Sequence, residues 1–206
     1  AGSPRHASAS WGAASAACPP ASTILPLSIM MACWNLSARS ARASDQITVR
    51  MLLNHTSGIP EWSTEAADAE VASDPAKVWD VEEFLDLAAA QEPTFAPGEE
   101  HAYSNTNYNL LGLVIEEATG RSWREEVRQR IIQPLGLENT SLPEPGETSI
   151  AGVHARGYQP LDGQLLDFTE VDPSMAGAAG GGALVTTASD LARFLNAVLA
   201  GELFQK

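Results

Sequence analysis

Histidine, cysteine, serine, lysine and carboxylate side chains can attack, bind metal or move protons, so their spacing is where function is legible. His6, His55, His101 and His154 lie far apart and never at i and i+4, which leaves no helix face for a zinc site. Glu99-Glu100, Glu116-Glu117 and Glu125-Glu126 are adjacent pairs; neighbours on a helix do not face each other, so they read as solvated faces, not acid/base pairs. The run Gly177-Ala178-Ala179-Gly180-Gly181-Gly182 has the look of a phosphate cradle. It lacks the Lys-Ser/Thr and the preceding strand of a P-loop, so a turn or a close backbone approach is the plainer reading. No Gly-x-Ser-x-Gly elbow occurs, which weighs against an α/β-hydrolase. Cys18 and Cys33 could form one disulfide, and their spacing suggests no metal site. No metal and no cofactor is expected.

One ordered series remains. It opens with Ile47-Thr48-Val49-Arg50-Met51-Leu52-Leu53-Asn54-His55-Thr56-Ser57-Gly58, followed by Phe95-Ala96-Pro97-Gly98. Tyr103-Ser104-Asn105-Thr106-Asn107-Tyr108 comes next and runs into an apolar stretch closed by Gly120. Pro134-Leu135-Gly136-Leu137, Thr140, His154-Ala155-Arg156-Gly157-Tyr158 and the segment 180–194 complete it. Tyr-Ser-Asn alone recurs by chance; inside this series it is specific. The series resembles the serine β-lactamase/DD-peptidase superfamily, and in detail its serine-type D-alanyl-D-alanine carboxypeptidases, over roughly residues 45–206. The resemblance implies a serine that attacks a peptide or lactam carbonyl, forming an acyl-enzyme that water hydrolyses. It makes Tyr103 the proton-transferring group and Asn105 the amide that holds substrate, with Ser104 a spacer. It assigns Met175, Gly180 and Gly181 to substrate binding, Met175 standing where close relatives often carry an aromatic residue. Ser57 is expected to cap, not to attack.

Two elements of that chemistry are absent from these 206 residues. The family's Ser-x-x-Lys, in which the lysine helps take the serine's proton, would need a serine three residues before a lysine. Those positions hold Asp74 before Lys77 and Leu203 before Lys206. No Lys-Thr-Gly or His-Thr-Gly follows the last helical pattern. The expectation is a hydrolase fragment that is inactive as it stands. A β-lactamase or esterase of the same superfamily, and a non-catalytic muropeptide-binding pseudo-enzyme, are the alternatives.

The elements that must position these residues read as follows. Residues 47–54 form a short helix entering the His55 loop. Asp80 with Glu83 makes a capping box for a helix with Val81, Phe84, Leu85 and Ala88 on its apolar face. The strongest helix spans 106–118, with Leu111, Val114, Ile115 and Ala118 on one face and Gly120 as its stop. Ser122 with Glu125 opens another, ending before Pro134. Residues 158–168 alternate around Asp162-Gly163, a hairpin signal. Ser189 caps a last helix with Leu191, Phe194, Leu195, Val198 and Leu199 turned to a core. The fold class is α+β, β-lactamase/DD-peptidase-like: chiefly the helical domain with hairpins, most of the sheet being absent.

Charge and composition narrow the partners. Twenty-six carboxylates face 12 basic residues, the wrong sign for nucleic acid. No stretch reaches the ~18 apolar residues of a membrane helix, and no signal peptide is visible. The partners expected from the resemblance are peptidoglycan-type peptides or β-lactams, and the expected location is secreted or cell-envelope. Residues 1–44 contain no Asp or Glu, whereas the remainder carries all 26 carboxylates. The expected division is therefore an atypical segment, 1–44, that is an out-of-frame translation or a divergent, disordered stretch, and a partial family domain, 45–206.

Overall fold

The computed structural model describes residues 46–161, 163–176 and 184–203. Six α-helices and one hairpin organise them: α1 Val49–Leu53, α2 Glu65–Ser73, α3 Val81–Ala89, α4 Asn105–Thr119, α5 Trp123–Val127, β1 Tyr158–Leu161, β2 Gln164–Asp167 and α6 Ala188–Ala200. The α+β, mostly helical character expected from the sequence holds.

Most helices start where a short polar side chain can meet a free N–H. Thr48 accepts from Met51 N, Thr64 from Ala67 N and Ser122 from Glu125 N. The Asp80/Glu83 capping box forms at α3, with Asp80 N donating to Glu83 Oε2 at 2.9 Å. Gly120 and Gly201 end α4 and α6 in the left-handed conformation.

The structure corrects several expectations. α2 was not foreseen; only Ala67 and Val71 of its nine residues are buried, too few to print a helical period. The helical run that begins with α5 does end before Pro134, but its last stretch widens into a π turn, Arg128–Ile132. α6 is capped by Thr187, whose side chain accepts from Asp190 N, and not by Ser189. Its expected core face is largely open: Leu191, Leu195 and Leu199 are exposed. On α4 Ala118 is exposed, while the buried face begins with Thr106, Asn107 and Asn109.

Two apolar clusters meet at α3. Leu85 joins Leu52, Leu110, Leu113 and Trp123 on one side, and Phe84 with Ala88 joins Trp62, Val71 and Trp79 on the other. The second cluster extends to Phe168, which follows the hairpin, and to Met175. The hairpin is antiparallel, pairing Tyr158 with Asp167 and Leu161 with Gln164. That register leaves the two-residue connection 162–163 that the sequence signalled; Asp162 lies outside the described residues, and Gly163 has φ 76°. Among the described residues no helix is long and apolar enough to cross a membrane.

Candidate active site

The loop after α1 is clipped to the chain that leads into α4. Thr56 O accepts from Gly98 N at 2.8 Å, Gly58 O from Thr94 N at 3.0 Å, and His55 O from Ala102 N at 3.1 Å. Gly58 has φ +75°, and a Cβ there would lie 2.1 Å from Phe95 O; only glycine allows this approach. The clip fixes where Tyr103 and Asn105 emerge.

Inside the loop the polar groups are saturated by one another. Ser57 Oγ donates to Asn107 Oδ1 at 2.6 Å and accepts from Ile59 N at 3.1 Å. Asn107 Nδ2 and Ser104 N each lie 3.3 Å from His55 Nδ1. An Nδ1 that accepts from a backbone N–H carries no proton, so this network assigns the ring proton to Nε2. Ser57 is 2% exposed with its proton committed to an amide oxygen. No helix starts at Ser57, which braces Asn107 against Ile59 as an internal strut.

Ser104 and Thr106 bolt the start of α4 to the same loop. Both hydroxyls donate to Pro60 O, at 3.1 and 2.8 Å, and Trp62 N donates to Thr106 Oγ1 at 3.1 Å. Tyr103, on the turn before α4, is 62% exposed, and its hydroxyl donates to Asn105 Oδ1 at 2.9 Å. Its ring lies 4.6 Å from that of His55, which in turn lies 5.3 Å from Tyr108. Asn105 is the first residue of α4, and Glu61 Oε2 accepts both its backbone N–H, at 2.7 Å, and its Nδ2, at 3.0 Å. Glu61 is a site residue that sequence reasoning missed. No feature of the Pro60-Glu61-Trp62 run marks it in the sequence.

A cavity of about 580 Å³ opens beside this pair. Asn105 and Met175 both line it, together with Trp62, Val71 and Phe168, while Glu65 and Asp68 supply carboxylates. No basic side chain occurs among its described lining residues. α2, the helix absent from the sequence reading, provides much of this wall. Gly180 and Gly181 lie outside the described residues. Among the described residues no cluster of three or more His, Cys, Asp or Glu is arranged to hold a metal. Lys77 is spent elsewhere: its ammonium pairs with Glu70 at 2.8 Å and Glu83 at 2.9 Å and lies over the Trp79 ring. The arrangement thus holds the Asn105 amide at the wall of a cavity, with the Tyr103 hydroxyl hydrogen-bonded to that amide.

The family model described as Beta-lactamase matches residues 20–206. Penicillin-binding protein 4* of Bacillus subtilis (strain 168) is 30% identical over 175 residues, covering 78% of this chain and 37% of that protein. The D-alanyl-D-alanine-carboxypeptidase/endopeptidase AmpH of Escherichia coli (strain K12) is 28% identical over 165 residues, covering 78% and 38%. Among solved structures, a D-stereospecific amidohydrolase from Streptomyces sp. superposes with a TM-score of 0.73 at 35% identity, over 79% of this chain and 49% of that one. The D-amino acid amidase from Ochrobactrum anthropi SV3 complexed with D-phenylalanine superposes with a TM-score of 0.63 at 31% identity, over 79% and 47%. The chain spans less than half the length of each of these four relatives. By the match over residues 20–206, and by the series of motifs around Tyr103 and Asn105, the chain belongs to the β-lactamase family.

Proposed function

We propose that this chain is the substrate-holding part of a serine hydrolase resembling D-Ala-D-Ala carboxypeptidases, one that cleaves cell-wall peptides in the envelope or outside the cell. In such a reaction a serine oxygen bonds to the substrate carbonyl carbon, the C–N bond breaks, and the leaving amine takes a proton. Water then hydrolyses the ester. Tyr103 passes the proton and Asn105 holds the carbonyl. Met175 shapes the pocket for the side chain, and Gly180 and Gly181 belong to the same binding site. The observation that carries this reading is that Asn105, hydrogen-bonded to Tyr103, lines a cavity large enough for a peptide end. A second reading, hydrolysis of amides of D-amino acids, is favoured by the two amide hydrolases among the solved relatives.

The chain as it stands has no Ser-x-x-Lys, and losing such a nucleophile removes on the order of a million-fold in rate. Incubation with a fluorescent penicillin is therefore expected to give no covalent mass increase. A stoichiometric adduct would reveal a nucleophile outside that motif. In a full-length gene product that carries the motif, acylation is expected, and Tyr103→Phe is expected to slow it by roughly 10²–10⁴-fold. An unchanged acylation rate in that variant removes Tyr103 from the mechanism.

A further inference from the structure

The hydrogen bonds around Asn105 run in one direction. Glu61 Oε2 accepts from Asn105 N at 2.7 Å and from Asn105 Nδ2 at 3.0 Å, while Oε1 accepts from Ser63 N at 2.9 Å. An ionised carboxylate has acceptors only, so the amide nitrogen of Asn105, and not its oxygen, must face Glu61. The oxygen is thereby turned to Tyr103, whose hydroxyl donates to it at 2.9 Å. With its proton spent on Asn105, the Tyr103 oxygen has only lone pairs left to offer. Asn105 Nδ2 keeps one hydrogen in reserve, since an amide nitrogen carries two. The Tyr103 ring packs against His55, centroids 4.6 Å apart, and Asn105 is anchored as the first residue of α4.

We infer that Glu61 is a positioning residue for acyl transfer: it fixes the Asn105 amide so that Tyr103 meets a hydroxyl as an acceptor while Asn105 meets a carbonyl as a donor. The inference rests on the acyl-hydrolase reading above for the roles of Tyr103 and Asn105. A serine hydroxyl needs an acceptor for its proton and a substrate carbonyl needs a donor. The orientation held by Glu61 supplies one of each before any proton moves. The flipped amide would not. It would set Nδ2 against the Tyr103 oxygen and release the Tyr103 proton to point at the very hydroxyl whose own proton has to leave. Glu61→Gln keeps the shape and can still accept from Asn105 N. Its amide, however, carries both a donor and an acceptor, and so permits either orientation of Asn105.

The first test uses the chain as it stands, in nitrogen–proton correlation NMR spectra. One Asn105 Nδ2 proton is expected well downfield of the other, as a charge-assisted hydrogen bond requires. In Glu61→Gln that separation is expected to be lost and the Tyr103 ring resonances to move, while the backbone amides along α4 stay in place. Asn105 side-chain resonances that do not move in Glu61→Gln overturn the inference. The second test uses a full-length gene product that carries Ser-x-x-Lys. There Glu61→Gln is expected to slow penicillin acylation by about tenfold to 100-fold. Made in a Tyr103→Phe background, the same substitution is expected to cost at least about threefold less, because both residues act through one hydrogen-bonded chain. A smaller difference between the two backgrounds reduces Glu61 to a structural cap and overturns the inference, leaving the acyl-hydrolase reading intact. If Tyr103→Phe alone acylates at the wild-type rate, Tyr103 has no part in the chemistry, and the inference falls together with that part of the reading.

Discussion

Ser57 illustrates how a side chain that looks reactive in a sequence can be spent in a fold. Its hydroxyl is buried between Asn107 Oδ1 and Ile59 N, and each of those groups depends on it. Ser57→Ala leaves a buried amide oxygen and a buried N–H unpaired, at about 1–3 kcal/mol for each. Chemical denaturation is expected to register the loss as a lower midpoint with an unchanged slope. A midpoint within error of wild type would mean that solvent or a neighbour takes over both bonds. At this scale the sequence was readable only where a residue sits in a pattern. Tyr103 and Asn105 stand out because Tyr103-Ser104-Asn105 falls inside an ordered series of motifs that resembles the β-lactamase/DD-peptidase superfamily. Glu61 is one of 26 carboxylates, and nothing in its spacing marks it. Its meaning comes from two hydrogen bonds that span 44 positions of the chain.

Helices were legible where a capping residue precedes large apolar residues at helical spacing. α3 has both: a capping box, and Phe84, Leu85 and Ala88 buried. α2 has Thr64 as a cap but only Ala67 and Val71 buried, so it prints no period. The capping box also has a pH signature. The Glu83 carboxyl is held below its usual 4.5, first by the Asp80 N–H and then by the Lys77 ammonium. Lys77 is correspondingly raised above 10.5, by Glu70 and then Glu83. A depressed carboxyl contributes stability that is fully present above its ordinary value and is lost as pH falls through its folded value. Unfolding free energies measured from pH 7 down to about pH 3 are therefore expected to decline in the wild type below 4.5. Glu83→Gln is expected to be less stable at neutral pH and flatter over the acid range. Parallel curves for the two proteins would mean that the Glu83 interactions are screened by water and carry no net stability.

For the whole molecule, fold class was legible from the order of the motifs; periodicity alone would have given a few helices and a hairpin with no relation between them. What the sequence could not tell is which apolar faces find a partner. Leu191, Leu195 and Leu199 have the spacing of a core stripe, yet they are exposed, Leu199 at 84%. On α6 it is Asp190 that ties the helix down, its Oδ2 accepting from Asn139 N and Thr140 Oγ1. Solved relatives are about twice as long as the matched portion, so a periodic stripe in one portion says nothing about where its partner is encoded.

The contrast at residue 44 is also a property of the whole chain. The family match reaches back to residue 20, but the motif series starts only at Ile47, and no carboxylate precedes Asp45. We propose that residues 1–44 are an out-of-frame reading of a family gene. The genetic code constrains this tightly enough to check. Taking the last base of each codon with the first two of the next, Met30-Met31-Ala32 forces Asp-Gly. Cys33-Trp34 then forces Leu and Trp34-Asn35 forces Glu, and the codon between Gly and Leu can encode only Leu, Val or Met. The result, Asp-Gly-[Leu/Val/Met]-Leu-Glu, resembles the turn the family carries just before its counterpart of Ile47-Thr48-Val49-Arg50. Ser22-Thr23-Ile24-Leu25 permits Asp-Asp-Pro in the same frame, although codon degeneracy makes that match less specific. Resequencing the gene is expected to return an open shifted frame with Ser-x-x-Lys ahead of the Asp-Asp-Pro. Stop codons in that frame, or no such motif, would leave residues 1–44 as native sequence. If the motif is present, the corrected chain regains the serine whose loss accounts for the expected absence of a penicillin adduct.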